Sequence, residues 1–228
     1  MNCKIISIEG NIGSGKTTLL EKLRNYYKDN SYIVFLKEPV DEWEKIKDKD
    51  EITILQKFYL NQEKYSFAFQ MMAYISRLKI LRDVFKNTTN NKNTTNNKNI
   101  IIITERSLYT DKYVFAKMLY DQGKIEDVCY QIYLNWFNEF ANDFPVNYSV
   151  YVKTDPQNCY NRIHKRARQG EEIIPLDYLN DCHKYHEEFL DDKNELKTKK
   201  IVLDGNLDIY ENSEIIDIWI QEIDKFIN

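Results

Sequence analysis

Apolar residues fall along this chain in two alternating patterns. Lys4–Glu9, Tyr32–Leu36, Ile100–Thr104, Tyr148–Val152 and Lys200–Leu203 are short and rich in β-forming residues. Runs of that kind are buried on both faces, as in a parallel sheet. Thr17–Lys28, Ile52–Phe85, Leu108–Phe140, Pro156–Arg168 and Pro175–Leu190 instead repeat their apolar positions at helical spacing. A last helix is expected over about Ser213–Ile227. Strands separated by helical crossovers predict a three-layer α/β fold, a doubly wound five-stranded parallel sheet flanked by helices. A length of 228 residues suits one such domain, spanning 1–228.

One stretch breaks the pattern. Asn87–Asn99 reads NTTNNKNTTNNKN, a direct repeat without an apolar residue, and is expected to be a disordered surface loop before the third strand. The rest of the composition, 43% apolar and 30% charged, is that of an ordinary globular chain. A net charge of -4 offers no overall basic field, so nucleic acid is not an expected partner. Cys3, Cys129, Cys159 and Cys182 form no CxxC pair and are expected to be reduced thiols. No apolar run is long enough for a membrane span. With a strand beginning by about Lys4, no targeting peptide is expected, and the chain reads as cytoplasmic.

The strongest chemical signal is Gly10-Asn11-Ile12-Gly13-Ser14-Gly15-Lys16-Thr17, a complete GxxxxGK[ST] motif. It follows the strand carrying Ile5, Ile6 and Ile8 and opens the helix carrying Leu19, Leu20 and Leu23, the context that marks a P-loop. Its glycines let the backbone approach phosphate oxygens, and its amides with the helix N-terminus form an anion site. Lys16 can reach the β- and γ-phosphates, and the Thr17 hydroxyl suits Mg²⁺. Gly10, Asn11, Gly13, Ser14, Gly15, Lys16, Thr17 and Thr18 are thus the expected contacts of ATP, with Mg²⁺ as its companion. No NKxD-like segment for reading guanine is present.

Two carboxylates fall at strand ends, where open α/β sheets present ligands. Glu38 lies in Lys37-Glu38-Pro39-Val40, and Pro39 restricts it to extended geometry. Glu105 lies in Glu105-Arg106-Ser107 after the third strand. Phosphoryl transfer to an alcohol needs a base, a metal-bound triphosphate and cations on the migrating group. Glu38 is the expected base, Glu105 the metal-side acid with Thr17, and Arg106 a clamp on the acceptor oxygen. Arg162, Arg166 and Arg168, in RIHKRAR, add cations, and the break at Gln169-Gly170 marks a lid over 162–172. A solvated basic helix end is the alternative.

Taken together, IISIEGNIGSGKTT, EPVDEW, FAFQMMAYISR, ERSLYTDKYVFAKMLY, RIHKRAR, IPLDYL and IVLDGN resemble the deoxynucleoside kinase family, its deoxycytidine and deoxyguanosine kinase branch, over nearly the whole chain. The resemblance implies a P-loop kinase fold and transfer of the ATP γ-phosphate to the 5′-hydroxyl of a deoxynucleoside in nucleotide salvage. It implies that Glu38 is the general base and that Arg106 holds the 5′-oxygen. Tyr59 and Glu171 correspond to the pair on the sugar 3′-hydroxyl, Trp43, Phe69 and Phe115 to the aromatics around the base, and Gln70 to the glutamine on its edge. Asp204 falls in the loop around the adenine of ATP. A homodimer is also implied.

Helical spacing adds that Gln70, Ala73 and Arg77 share one face. A buried Arg77 needs a carboxylate, and the family pattern supplies Asp111. Such a pair accepts hydrogen bonds from cytosine, guanine or adenine and disfavours thymine; Met71, Met72 and Tyr74 are expected to alter the pocket. Two rivals remain: a monophosphate kinase of the thymidylate kinase type, and a non-catalytic ATP-sensing module.

Overall fold

A computed structural model describes residues 3–90, 100–166, 170–191, 198–207, 209 and 213–227. The strands β1 (Cys3–Glu9), β2 (Ile33–Leu36), β3 (Ile100–Glu105), β4 (Tyr148–Lys153) and β5 (Lys199–Asp204) are all parallel, in the order β2-β3-β1-β4-β5. β1 is central because its side chains can be buried on both faces. Ile5 joins one hydrophobic cluster, whereas Ile6 and Ile8 join the other.

The Ile6 face is covered by α1 (Lys16–Tyr26) and α10 (Ser213–Ile227), through Leu19, Leu20, Leu23, Trp219 and Ile223. The Ile5 face carries α3 (Ile54–Leu60), α4 (Gln62–Asn90), α7 (Asp127–Phe140) and α9 (Leu176–Phe189). Two short helices, α2 (Val40–Glu44) and α5 (Leu108–Thr110), follow β2 and β3. A π-helical turn, Asp111–Ala116, joins α5 to α6 (Lys117–Asp121), and α8 (Pro156–Arg166) follows β4.

Four boundaries differ from the sequence expectation. The single helix expected over Ile52–Phe85 is two, because Asn61 turns extended (φ -151°) between α3 and α4. Thr53 and Gln56 form a reciprocal capping box that starts α3 two residues late. The helix expected over Leu108–Phe140 is interrupted between α6 and α7. Of the Asn-rich stretch, 87–90 continue α4, since a packed helix readily propagates through a few polar residues; 91–99 lie outside the described residues.

Ile223 is fully buried while Ile218 on the same helix is 53% exposed. Ile223→Ala is expected to cost about 2–5 kcal/mol and Ile218→Ala under about 0.5 kcal/mol in urea unfolding. Equal losses would contradict the packing of α10 on the sheet.

Candidate active site

β1 delivers the chain into its phosphate loop at Gly10, where φ is 144° and a Cβ would stand 2.6 Å from the Val152 carbonyl oxygen. Gly13 is equally constrained, its would-be Cβ 2.6 Å from the Cys159 carbonyl oxygen. α1 begins at Gly15 without a capping side chain, which leaves its first amides available to an anion. The buried Lys16 donates from Nζ to the Asn11 carbonyl at 2.7 Å. Burial, then the neighbouring Arg106 charge, lowers its pKa to about 8. The Asn11 side chain points away, donating to the Leu179 carbonyl at 2.8 Å, so it braces the loop against α9.

These residues fit a magnesium–triphosphate group. The loop packs too closely on β4 and α8 to admit a side chain at Gly10 or Gly13, and the Ser14 hydroxyl is buried without a hydrogen-bond partner among the described residues. Thr17 Oγ1 donates to Glu105 Oε1 at 2.8 Å, setting two hard oxygens side by side. No group of three or more ligating His, Cys, Asp or Glu occurs among the described residues. Mg²⁺ commonly takes only one or two protein oxygens and fills its octahedron with phosphates and water.

The loop itself lines one end of a cavity of about 650 Å³. At its centre Glu38 Oε1 accepts from Arg106 Nη1 at 2.6 Å and from Arg77 Nη2 at 3.1 Å. Burial works against the charge of this carboxylate, but Arg106, then Arg77 and Lys16, hold its pKa well below the usual range. Glu38 Oε2 carries no hydrogen bond among the described residues. Arg106 sits at φ 61°, a left-handed conformation costing about 1–3 kcal/mol for a non-glycine residue. Its neighbours over-determine it: its N–H donates to the Ile8 carbonyl at 2.9 Å and its own carbonyl accepts from Thr104 Oγ1 at 2.9 Å.

Arg77 is fully engaged. Nε and Nη2 reach the two oxygens of Asp111 at 2.9 and 3.3 Å, and Nη1 donates to the Glu105 carbonyl at 2.6 Å. Burial raises the Asp111 carboxyl above its ordinary value, and the bidentate pairing opposes that rise. Asp111 and Phe115 both border the cavity from the π-helical turn, a feature often found at functional sites.

Aromatic walls close the far end. Trp43 meets Phe69 edge-on with centroids 5.3 Å apart, and its indole N–H donates to Ser76 Oγ at 2.9 Å. Phe69 stacks on Phe58 at 4.7 Å, and the Arg106 guanidinium lies 5.0 Å from the Phe115 ring. Gln70 and Ala73 line the same wall, and Tyr59 and the buried Glu171 also line the cavity. Burial, then the Glu171 charge, pushes the Tyr59 hydroxyl well above its ordinary pKa.

Arg162, Lys165 and Arg166 border the cavity from α8, with Arg166 paired to Glu171 and Arg162 Nη1 3.4 Å from the Ser14 carbonyl. Arg168 and Gln169 lie outside the described residues.

Four sequence expectations need correction. Met71, Met72 and Tyr74 do not border the cavity; Tyr74 donates to the Trp136 carbonyl at 2.9 Å, because successive helical residues fan away from the Gln70–Ala73 face. The Asp204 side chain caps its own turn, accepting from the Asn206 N–H at 3.1 Å, and Gly205 and Leu207 border the cavity instead. The Asn11 side chain braces the loop rather than facing the phosphate site. Arg77 holds Asp111 as expected, but from behind it, and does not itself line the cavity. Sequence reasoning missed Phe58, Leu55 and Tyr178 on the aromatic side and Ile209 and Trp219 toward the loop. Phe58 lay within a recognisable apolar helix face, but only packing reveals that its ring supports Phe69.

Comparison with known proteins finds relatives along nearly the whole chain. A family model described as deoxynucleoside kinase matches residues 6–228. A probable deoxycytidine kinase of fowlpox virus (strain NVSL) is 38% identical over 208 residues, covering 90% of this chain and 79% of the relative. Deoxycytidine kinase 1 of Xenopus laevis is 31% identical over 256 residues, covering 99% and 92%. The mitochondrial thymidine kinase 2 of Homo sapiens is 30% identical over 188 residues, covering 82% and 64%. With a phosphate cradle, a paired carboxylate and an aromatic-walled cavity past the carboxyl ends of the strands, and with that match along its length, the chain belongs to the deoxynucleoside kinase family.

Proposed function

We propose that this deoxynucleoside kinase moves the γ-phosphate of ATP to the 5′-hydroxyl of deoxycytidine, deoxyguanosine or deoxyadenosine, as a salvage enzyme built from one kinase domain. The carrying observation is the arginine-fixed carboxylate: Asp111, buried at the cavity wall and held on both oxygens by Arg77. A carboxylate so held accepts hydrogen bonds and donates none. It matches an exocyclic amine, and it leaves polar groups unpaired against thymine, which presents a carbonyl there, at about 1–3 kcal/mol.

The other residues fall into order from that end. Trp43, Phe69 and Phe115 flank the base and Gln70 reads its edge. Tyr59 and Glu171 take the sugar 3′-hydroxyl. Glu38 Oε2, left without a partner, accepts the 5′-hydroxyl proton, while Arg106 steadies the oxygen. With two arginines on Oε1, Glu38 is a weak base; a loose phosphoryl-transfer transition state demands the proton only late, so orientation counts for more than basicity. Lys16, the loop amides and Arg162, Arg166 and Arg168 hold the phosphates. Thr17 and Glu105 would hold Mg²⁺, which when bound supplies charge neutralisation on the phosphates.

The protein's surroundings follow the same reading. Ile75, Val128, Ile132 and Trp136, between 41% and 67% exposed, form an apolar face on α4 and α7 that supports a homodimer. Sedimentation at micromolar concentration is expected to give a dimer; a monomer would remove that element. No helix among the described residues is long and apolar enough to cross a membrane. Unbridged cysteines support a reducing compartment such as the cytoplasm.

Two variants test the chemistry. Glu38→Gln is expected to lower kcat by about 10²-fold or more, read in a coupled assay at saturating ATP and deoxycytidine; near-normal turnover would exclude Glu38 as proton acceptor. Arg77→Met with Asp111→Ala is expected to shift kcat/KM toward thymidine by about 10-fold or more. Unchanged ratios among the four deoxynucleosides would refute the base-reading role.

A further inference from the structure

β1 alternates so that Ser7 and Glu9 share the face of Ile5, on the side where α5 packs. Glu9 is 0% exposed, yet no arginine or lysine among the described residues pairs with it. Three hydroxyls satisfy it instead. Ser7 Oγ and Ser107 Oγ donate to Oε1, the latter at 3.0 Å, and Thr110 Oγ1 donates to Oε2 at 2.6 Å. Ser107 and Thr110 also cap α5 reciprocally: the Thr110 N–H donates to Ser107 Oγ at 3.2 Å and the Ser107 N–H to Thr110 Oγ1 at 3.1 Å. Each hydroxyl has a single proton. The two hydroxyl oxygens also lie 2.9 Å apart, so with backbone N–H groups on both, their two protons are shared between Glu9 and each other.

This cluster touches the transfer machinery from behind on both sides. Glu9 directly precedes Gly10 of the phosphate loop, and Ser107 directly follows Glu105 and the left-handed Arg106. A strained conformation persists only where its surroundings over-determine it. The Ile8 and Thr104 bonds fix the Arg106 backbone on one side, and Glu9 fixes the residue after it. A fold needing only a packed strand has no use for a carboxylate there, since burying one among hydroxyls is costlier than another isoleucine.

We propose that Glu9 is a positioning residue for phosphoryl transfer. Through Ser107 and Thr110 it keeps the Glu105–Arg106 turn in register with the phosphate loop, so that Arg106 meets Glu38 and Glu105 meets Thr17. The proposal rests on the kinase reading above.

The test uses the full chain, with ATP and deoxycytidine varied independently. Thr110→Val keeps the shape and removes the proton donor. Its kcat is expected to fall by about 10- to 10²-fold, the scale of a small misplacement, with each KM within about threefold of wild type. Thr110→Ser restores the hydroxyl and is expected to recover most of kcat. Glu9→Gln, or Ser107→Ala should the former not fold, is expected to behave like Thr110→Val. A Thr110→Val protein with lowered Tm but unchanged kcat per folded molecule would mean a helix cap only, and overturn the proposal. A wild-type chain that phosphorylates no deoxynucleoside would overturn the kinase reading and this role with it, whereas an active wild type with unaffected variants overturns this role alone.

Discussion

Glu38 Oε1 accepts hydrogen bonds from two guanidinium groups, Arg106 at 2.6 Å and Arg77 at 3.1 Å, and most of the site is arranged to keep that shared acceptor in place. Two cations converging on one carboxylate oxygen repel each other, so each needs its own counter-charge. Arg77 has Asp111, and Arg106 lies beside the Glu105 carboxylate. All five side chains are largely withdrawn from water, where their attractions are strong and an unpaired partner is costly. Removing any one charge therefore disturbs the rest.

That arrangement gives Arg77 a double part. It bridges Asp111, at the end of the cavity that would read a base, and Glu38, at the end that would receive a proton. Recognition and chemistry thus share one side chain, and their energies are not separable residue by residue. The aromatic walls have a plainer task. Phe58 backs Phe69, and Ser76 holds the Trp43 indole, so the rings keep their positions before any ligand arrives.

What could be read from the sequence was local in character. The phosphate loop is defined by eight consecutive residues whose glycines answer to backbone geometry, and its strand and helix flank it directly. Glu38 and Glu105–Arg106 were legible because strand ends are where α/β sheets present ligands. The helix pattern around Gln70 gave the right face, and Met71, Met72 and Tyr74 were misjudged only because neighbours in sequence diverge around a helix. Contacts across the fold were not legible. Nothing local joins Arg77 to Glu38, 39 residues away, or Glu9 to Thr110, 101 residues away. The break at Asn61 hid inside a continuous apolar pattern, and its sequence signal was Asn61 itself, whose side chain accepts from the Lys64 N–H at 3.1 Å at the start of α4.

A crystal structure with bound deoxycytidine and ADP addresses the central geometry most directly. The 5′-oxygen is expected at hydrogen-bond distance, about 2.6–3.2 Å, from the Glu38 carboxylate, with the cytosine amine on Asp111. A nucleoside seated with its 5′-oxygen away from Glu38, or its base away from Asp111, would contradict that geometry.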